Sequence, residues 1–381
     1  MPHSLIAPPS PVGYPTPFWF IELFKVLGFA FHVAPMNLWY AGAIIAAGFG
    51  ILGKGNARTV GLHIARALPF AIAFGVNFGI IPLLFIQVAY HQFFYPATIL
   101  MAWPWFSVFW LVTLAYFAIY LYKLSIERNL SPKVGNVGGW LAGILFIIVG
   151  FFFANALSLM VRADGWWGIF KQANTSGAAT GFALNTSDPT LFPRWLFMFG
   201  LALTTTASFV IVDAAFFSHR DSEDYRRYAR KFAFVLYNIG LLWFIGSGSW
   251  YIFGTRPDAF PTALQNPIMK IIFPLTMVSP GLPWLLILLQ LKWPSWKLAA
   301  LTGLAQFGVI FLNAISRQWL QNVEISRYAD LAARPVNLQT GALIVFLLFF
   351  IAGLVVVAWM VWKIVQVNIK EIKDWSQQQE D

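Results

Sequence analysis

Nine apolar stretches separated by short polar segments dominate this sequence. They lie near residues 18–52, 60–90, 95–122, 137–161, 193–217, 232–254, 268–291, 297–316 and 340–364. A helix of about 20 apolar residues crosses the hydrocarbon core of a bilayer, and each stretch is at least that long. Because lipid offers no hydrogen bonds, the backbone of a crossing segment must satisfy its own polar groups, as a helix does. The pattern predicts an all-α fold, a polytopic transmembrane helix bundle of about nine spans.

Composition supports a single membrane domain. Charged residues make up 10% of the chain and its mean hydropathy is +0.68, whereas soluble proteins carry about 25% charged residues. The chain divides into a Pro-rich N-terminal segment (1–17), a transmembrane helical domain (18–366) and a polar cytoplasmic tail (367–381). The first stretch is too long for one perpendicular span, so we expect residues 18–26 to lie along the membrane interface. There Glu22 and Lys25, three residues apart, are spaced to form an ion pair.

The distribution of Lys and Arg predicts how the chain is oriented. Alternate loops and the C-terminal segment hold 16 of the 25 basic residues: Lys54, Arg58, Arg66, Lys123, Arg128, Lys133, Arg220, Arg226, Arg227, Arg230, Lys231, Lys292, Lys297, Lys363, Lys370 and Lys373. By the positive-inside rule these segments face the cytoplasm. The N-terminus is therefore expected outside and the C-terminus in the cytoplasm, in the cell inner (plasma) membrane.

Two compositional features limit the function. The net charge of +10 arises from basic residues in short loops beside apolar runs, so we expect contact with membrane lipid and no nucleic acid binding. The chain contains no cysteine. Disulfides, iron–sulfur ligation and covalent c-type haem attachment are therefore excluded within it, and any such centre must lie on a partner.

Two histidines are candidate ligands. An ionisable side chain at the centre of a span costs about 2.5–3.5 kcal/mol on insertion scales, so it needs a partner or a role. His32 lies well inside the first stretch, where one ring nitrogen can ligate haem iron while the other donates to a carbonyl. The alternative is a hydrogen bond between helices. His91, at the outer end of the second stretch, is a candidate second ligand or quinone contact, and its alternative is an interfacial side chain.

Charged residues near the ends of spans have simpler explanations. We expect His63 and Arg66 to reach the cytoplasmic interface, and Asp213 either to pair with Arg220 or Arg66 or to accept protons. Arg317 and Glu324 follow the eighth stretch on the outer side. Oxidation of a quinol there would need a proton acceptor, a role that Glu324 can supply.

Four short segments, in order along the chain, resemble motifs of subunit I of cytochrome bd quinol oxidases. They are FHVAP around His32, VNFGII at 76–81, FANALSLMVRADGWW at 153–167 and AISRQW at 314–319. The first resembles the first-helix His-x-Pro-x-Gly region, with a shortened spacing to Pro35. The last resembles the Glu-x-Gly-Arg-Gln-Pro-Trp motif, in which Arg317 and Gln318 match and Ala314 replaces the Glu. The resemblance implies nine spans, an outside N-terminus and a high-spin b haem on His32.

The chain also departs from that family. Phe197 is placed where the family has a His that ligates its low-spin b haem. Residues 98–126 contain no carboxylate, although the family carries glutamates on its third span, and the large outer quinol-binding loop is cut to about residues 255–267. We therefore do not expect a terminal oxidase.

The leading hypothesis is a divergent bd-like membrane subunit of a respiratory or photosynthetic electron-transfer complex. It would anchor redox partners such as cytochromes and exchange electrons with quinone through one b-type haem. His32 is the expected iron ligand, and His91, Arg317 and Gln318 are further candidate cofactor-binding residues. The first alternative is a haem-free scaffold subunit, which the missing ligands favour. The second is a membrane transporter, which would need two related halves with broken helices, and no paired halves are evident.

Overall fold

The structure is a computed structural model that describes residues 6–128 and 131–377. Within these residues it contains thirteen α-helices and one antiparallel pair of two-residue strands, β1 (Asn174–Thr175) and β2 (Ala178–Ala179). The helices are α1 (Phe18–Leu52), α2 (Asn56–Ala89), α3 (His91–Leu100), α4 (Ala102–Glu127), α5 (Pro132–Val161), α6 (Trp166–Gln172), α7 (Leu191–Phe216), α8 (Glu223–Ser249), α9 (Ala259–Gln265), α10 (Met269–Val278), α11 (Gly281–Lys292), α12 (Trp296–Ile325) and α13 (Thr340–Gln377). A short 3₁₀ turn precedes α6, and a π turn at Trp250–Gly254 extends α8.

Nine helical segments of the described chain are long and apolar enough to cross a membrane. Eight of them are α1, α2, α4, α5, α7, α8 with its π turn, α12 and α13. The ninth combines α10 and α11, which are separated at Ser279 and Pro280. The predicted all-α, nine-span bundle is confirmed, and the chain is a multi-pass membrane protein.

Several boundaries differ from those expected, including that of the third span, which begins at Ala102 and not near residue 95. The first helix is continuous from Phe18 to Leu52, so residues 18–26 form its first turns and do not run separately along the interface. Helix α12 extends nine residues beyond the predicted end at 316, which brings Arg317 and Glu324 into the eighth span. Helix α13 continues to Gln377 through most of the expected tail, and residues 1–5 and 378–381 lie outside the described chain.

Burial differs sharply between the spans. Helix α7 is the most enclosed of the spans. Of its most apolar 18-residue segment, 61% is buried inside the protein, so α7 forms the centre of the bundle. The corresponding 18-residue segment of α13 is 0% buried. This helix nevertheless contacts α1, because Phe346 and Phe350 pack edge-on against Phe24. Helix α13 is therefore peripheral, and its apolar surface is suited to contact with lipid.

Two glycines allow α1 and α2 to approach each other closely. A Cβ atom at Gly75 would lie 2.2 Å from the Trp39 ring, and one at Gly79 would lie 2.9 Å from the His32 ring. Both glycines lie on one face of α2, four residues apart, and small residues at this spacing commonly mediate helix packing in membranes. This contact fixes the position of His32.

A set of hydrogen bonds around Tyr14, which we call the clasp, closes one side of the bundle. This is the side on which α1 begins, and we call it the N-terminal side. The Tyr14 amide donates to the Pro335 carbonyl at 2.9 Å, and the Asn337 amide donates to the Tyr14 carbonyl at 2.8 Å. The Tyr14 hydroxyl donates to the Ala89 carbonyl at 3.2 Å. The clasp thus joins the segment before α1 to the α12–α13 loop and to the end of α2.

Candidate functional site

An apolar cavity of about 220 Å³ lies between α1, α5, α7, α8, α10 and α12, towards the N-terminal side. Its walls are mainly hydrophobic and include Met36 of α1, Phe197 and Leu201 of α7, and Phe244 of α8. The rings of Phe197 and Phe244 are in contact, with centroids 4.4 Å apart. We call this space the α12 cavity, because α12 supplies most of its polar side chains.

These polar side chains form a stripe along α12. Asn313, Arg317, Gln321 and Glu324 all line the cavity. At 100° per residue, positions separated by four, eight and eleven residues fall within about 80° of one another, so they share one helix face. The cavity therefore has a polar stripe along α12 and mainly apolar walls elsewhere, with Asn37, Arg194 and Thr276 as further polar side chains. This lining suits an apolar ligand that carries a few polar groups.

Arg317 is the most unusual member of the stripe. It lies eight residues before the end of α12, which places it about 12 Å along the helix from that end. Its guanidinium carbon lies 4.1 Å from the centroid of the Phe29 ring. No carboxylate of the described residues lies within ion-pair distance of this guanidinium. A cation without a counter-ion inside a span is costly and marks a candidate binding group.

A cluster of charges surrounds Glu324, which lines the cavity together with Arg194. One Glu324 oxygen lies 3.8 Å from the Arg194 guanidinium, and the other forms an ion pair with Arg256. Both guanidinium groups also lie 5.5 Å from the centroid of the Tyr251 ring. Burial lowers the pKa of Arg256 from its ordinary value, and Arg194 lowers it further, while Tyr251 and Asp188 act in the opposite direction.

Asp188 anchors the loop that leads into α7. It accepts hydrogen bonds from the Ser158 hydroxyl at 2.5 Å and from the Thr190 amide and hydroxyl at 3.0 and 2.9 Å. Burial alone would raise the pKa of Asp188, but these bonds and the nearby Arg194 charge outweigh it and hold the pKa below its ordinary value. The ionised carboxylate fixes the start of α7, and with it Arg194.

The four predicted cofactor-binding residues do not come together. Of these, only Arg317 lines the α12 cavity. Gln318, one position along, donates to the Tyr90 hydroxyl at 2.6 Å and to Asn322 at 2.9 Å, among buried polar groups behind the wall. His91 lies at the start of α3, where its ring contacts the Val88 carbonyl at 3.3 Å and lines a second cavity of about 280 Å³.

His32 lies in the contact between α1 and α2. Its Nδ1 is 2.7 Å from the Gly75 carbonyl, and its ring is edge-on to Trp39, with centroids 6.1 Å apart. Because a carbonyl only accepts, Nδ1 is the donor. In the neutral ring, Nε2 then carries the lone pair that a metal ion or a hydrogen-bond donor can use. This is the orientation expected of an axial ligand, and it is equally the interhelical hydrogen bond that was the alternative.

Haem, which the family resemblance implies, fits the α12 cavity poorly. No histidine lines that cavity, and His32 borders neither of the cavities found in the described residues. Phe197, placed where the family has a haem-ligating His, presents only a hydrocarbon ring to the cavity. Separately, the described residues contain no group of three His, Cys, Asp or Glu side chains that could hold a metal ion directly. The α12 cavity therefore offers haem no histidine ligand.

Contacts on the opposite side of the bundle correct two expectations. His63 does not simply reach the interface, because its Nδ1 lies 2.7 Å from Asp213 and its Nε2 lies 3.2 Å from Asp221. Asp213 therefore pairs with His63 and not with Arg66, which pairs instead with Glu127 at 3.4 Å. One imidazole thus bridges the ends of α2 and α7 and the α7–α8 loop.

Several residues of the site were missed at the level of sequence. Arg194, Tyr251 and Arg256 were not singled out, and Lys25 was expected to pair with Glu22, whereas it donates to Gln321. For Arg194 and Lys25 a signal was available, because both are charged residues within or next to apolar stretches.

Comparison with known proteins identifies the fold. No protein-family model matches the sequence, and no curated protein matches it. Among solved structures, the bd oxidase from Geobacillus thermodenitrificans is similar to this chain, with a TM-score of 0.66 and 12% sequence identity. The match covers 92% of this chain and 98% of the other. Over nearly its whole length the chain therefore has a fold like that of a bd oxidase chain, in agreement with the resemblance of the short motifs.

Proposed function

We propose that this chain is a membrane-embedded subunit of an electron-transfer complex and that it binds a quinone in the α12 cavity. One observation carries the proposal: an apolar cavity inside the bundle is lined by the Arg317 guanidinium, which has no counter-ion among the described residues. The similarity in fold to a bd oxidase supplies the electron-transfer context.

A quinone matches the two kinds of wall. Its ring and isoprenoid tail are hydrophobic, as are most of the side chains of α7 and α8 that face the cavity. Its two carbonyl oxygens are hydrogen-bond acceptors, and guanidinium and amide groups are donors. Arg317 and Gln321 are four residues apart, about 6 Å along the helix axis, a separation comparable to that of the para oxygens of the ring. Arg317 would therefore donate to one oxygen and Gln321 to the other.

Replacing Arg317 by Met tests the binding role. Met fills similar apolar space without donors, so Arg317→Met is expected to weaken binding of a short-chain quinone by about tenfold or more, as the loss of a charge-assisted hydrogen bond predicts. Quenching of intrinsic tryptophan fluorescence in lipid nanodiscs would give the affinity. Arg327→Met, at an exposed position beyond the end of α12, is the matched control. Equal affinity of the folded Arg317→Met protein and the wild type would contradict the proposal.

A b haem on His32 remains a prediction, which the orientation of Nδ1 towards Gly75 supports. The test is a reduced-minus-oxidised visible spectrum, with haem extraction, of the chain purified free of cytochromes. If His32 is the ligand, about one b haem per chain is expected, and His32→Ala should lose it while still inserting. A b-type spectrum that survives in His32→Ala would remove the ligand assignment.

The assembly in which the chain acts follows from the same proposal. We infer that it anchors redox subunits such as cytochromes in the inner (plasma) membrane, with its N-terminus outside, as the distribution of basic residues predicts. Folded wild-type protein that binds neither quinone nor haem would favour the alternative of a haem-free scaffold subunit.

A further inference from the structure

Lys25 is a buried lysine within the first span. The residue is only 4% exposed, and its ammonium nitrogen lies 3.8 Å from the centroid of the Tyr90 ring. Its Nζ donates to Oε1 of Gln321 at 3.0 Å. An ammonium at this depth is costly, so an arrangement that retains it calls for a role.

The hydrogen bond to Lys25 decides which way the Gln321 amide points. An ammonium group has three donors and no lone pair, so only the amide oxygen can face it. Nε2 of Gln321 must then point away from Lys25. Its only protein partner in the described chain is the Met160 sulfur at 3.8 Å, a weak acceptor. Gln321 also lines the α12 cavity, which leaves its amide donor available to a ligand.

The ring under the Lys25 ammonium is itself held in place. The Tyr90 hydroxyl accepts from Gln318 at 2.6 Å and donates to Asn322 at 2.7 Å. Asn322 also donates to Glu22, whose carboxylate lies near enough to Lys25 to offset part of its charge. Because α1, α12 and the residue between α2 and α3 all contribute, Lys25 has little freedom to move away from Gln321.

We propose that Lys25 is a positioning residue, which fixes the Gln321 amide so that its Nε2 donates into the α12 cavity one helical turn from Arg317. The inference rests on the proposed quinone site and adds its specificity. Two donors on residues one helical turn apart select a ligand with two acceptor oxygens over a hydrocarbon of the same shape.

The test compares two probes on the full-length protein in nanodiscs. One is a short-chain benzoquinone, and the other is an alkylbenzene with the same tail and no oxygens. Lys25→Met is expected to weaken quinone binding by about three- to tenfold, the range for one neutral hydrogen bond, and to leave alkylbenzene binding unchanged. Gln321→Leu should give the same pattern. The double variant should lose no more than Gln321→Leu alone, because the two residues act through one donor.

The outcomes separate the two proposals. If the wild type fails to bind the quinone, the proposed function fails, and the role of Lys25 fails with it. If the wild type binds the quinone but Lys25→Met weakens binding of both probes equally, or changes the binding of neither, the role of Lys25 alone is overturned. The double variant replaces both partners by apolar groups, so it is expected to fold even if one single variant does not.

Discussion

Glu324→Gln is expected to lower the free energy of unfolding by about 3 kcal/mol, because it leaves two buried guanidinium groups without their shared carboxylate. The Glu324 side chain is 6% exposed, and those of Arg194 and Arg256 are 10% and 11% exposed. Gln has nearly the same shape as Glu, so the substitution removes the charge and leaves the packing almost unchanged. The cost therefore comes from uncompensated charge in a medium of low dielectric constant.

Reversible unfolding by SDS in mixed micelles would measure this effect. Glu127→Gln is the matched control, because it makes the same change in the Arg66–Glu127 pair, whose side chains are 51% and 32% exposed. Exposed pairs contribute about 0–1 kcal/mol, so the control should change stability little. If the two variants lose the same free energy, Glu324 does not serve as the counter-ion of both arginines.

Hydropathy was sufficient to predict the fold class, because a crossing segment must be both apolar and long. The spans at α5 and α7 agree with the predicted ones to within a few residues. The end of α12 could not be placed, because residues 317–325 carry Arg, Gln, Asn and Glu and resemble a loop in composition. Several of their polar groups, such as those of Gln321, Asn322 and Glu324, have partners elsewhere in the fold, and such tertiary contacts are invisible to a hydropathy scan.

The candidate site is likewise built from contacts between residues that are far apart in the sequence. Arg317 was found from its sequence motif, but the residues around it come from α1, α7 and the segment after α8, which are more than 60 positions away along the chain. Lys25 and Gln321 are 296 residues apart, so no local pattern could indicate their hydrogen bond. His32 was correctly singled out as a polar residue in need of a partner, yet the sequence could not distinguish an interhelical bond from a ligand.

His63→Leu is expected to cost about 3 kcal/mol of unfolding free energy, because it leaves Asp213 and Asp221 without the group between them. The His63 and Asp213 side chains are 11% and 10% exposed, and their contact is 2.7 Å. The Ser218 hydroxyl still donates to Asp213 at 3.1 Å, but one neutral donor does not replace a cation. Both ring nitrogens face carboxylates, which only accept, so the geometry is that of an imidazolium.

The double variant His63→Leu/Asp213→Leu makes the prediction specific. Replacing both partners of a buried ion pair by apolar residues is often close to neutral, so the double variant should recover more than half of the stability that His63→Leu loses. Arg66→Leu, at a half-exposed position three residues along α2, is the control and should change stability by about 1 kcal/mol or less. If the losses of His63→Leu and Asp213→Leu simply add in the double variant, the two residues are not coupled. Their contact would then not be what holds the α7–α8 loop against α2.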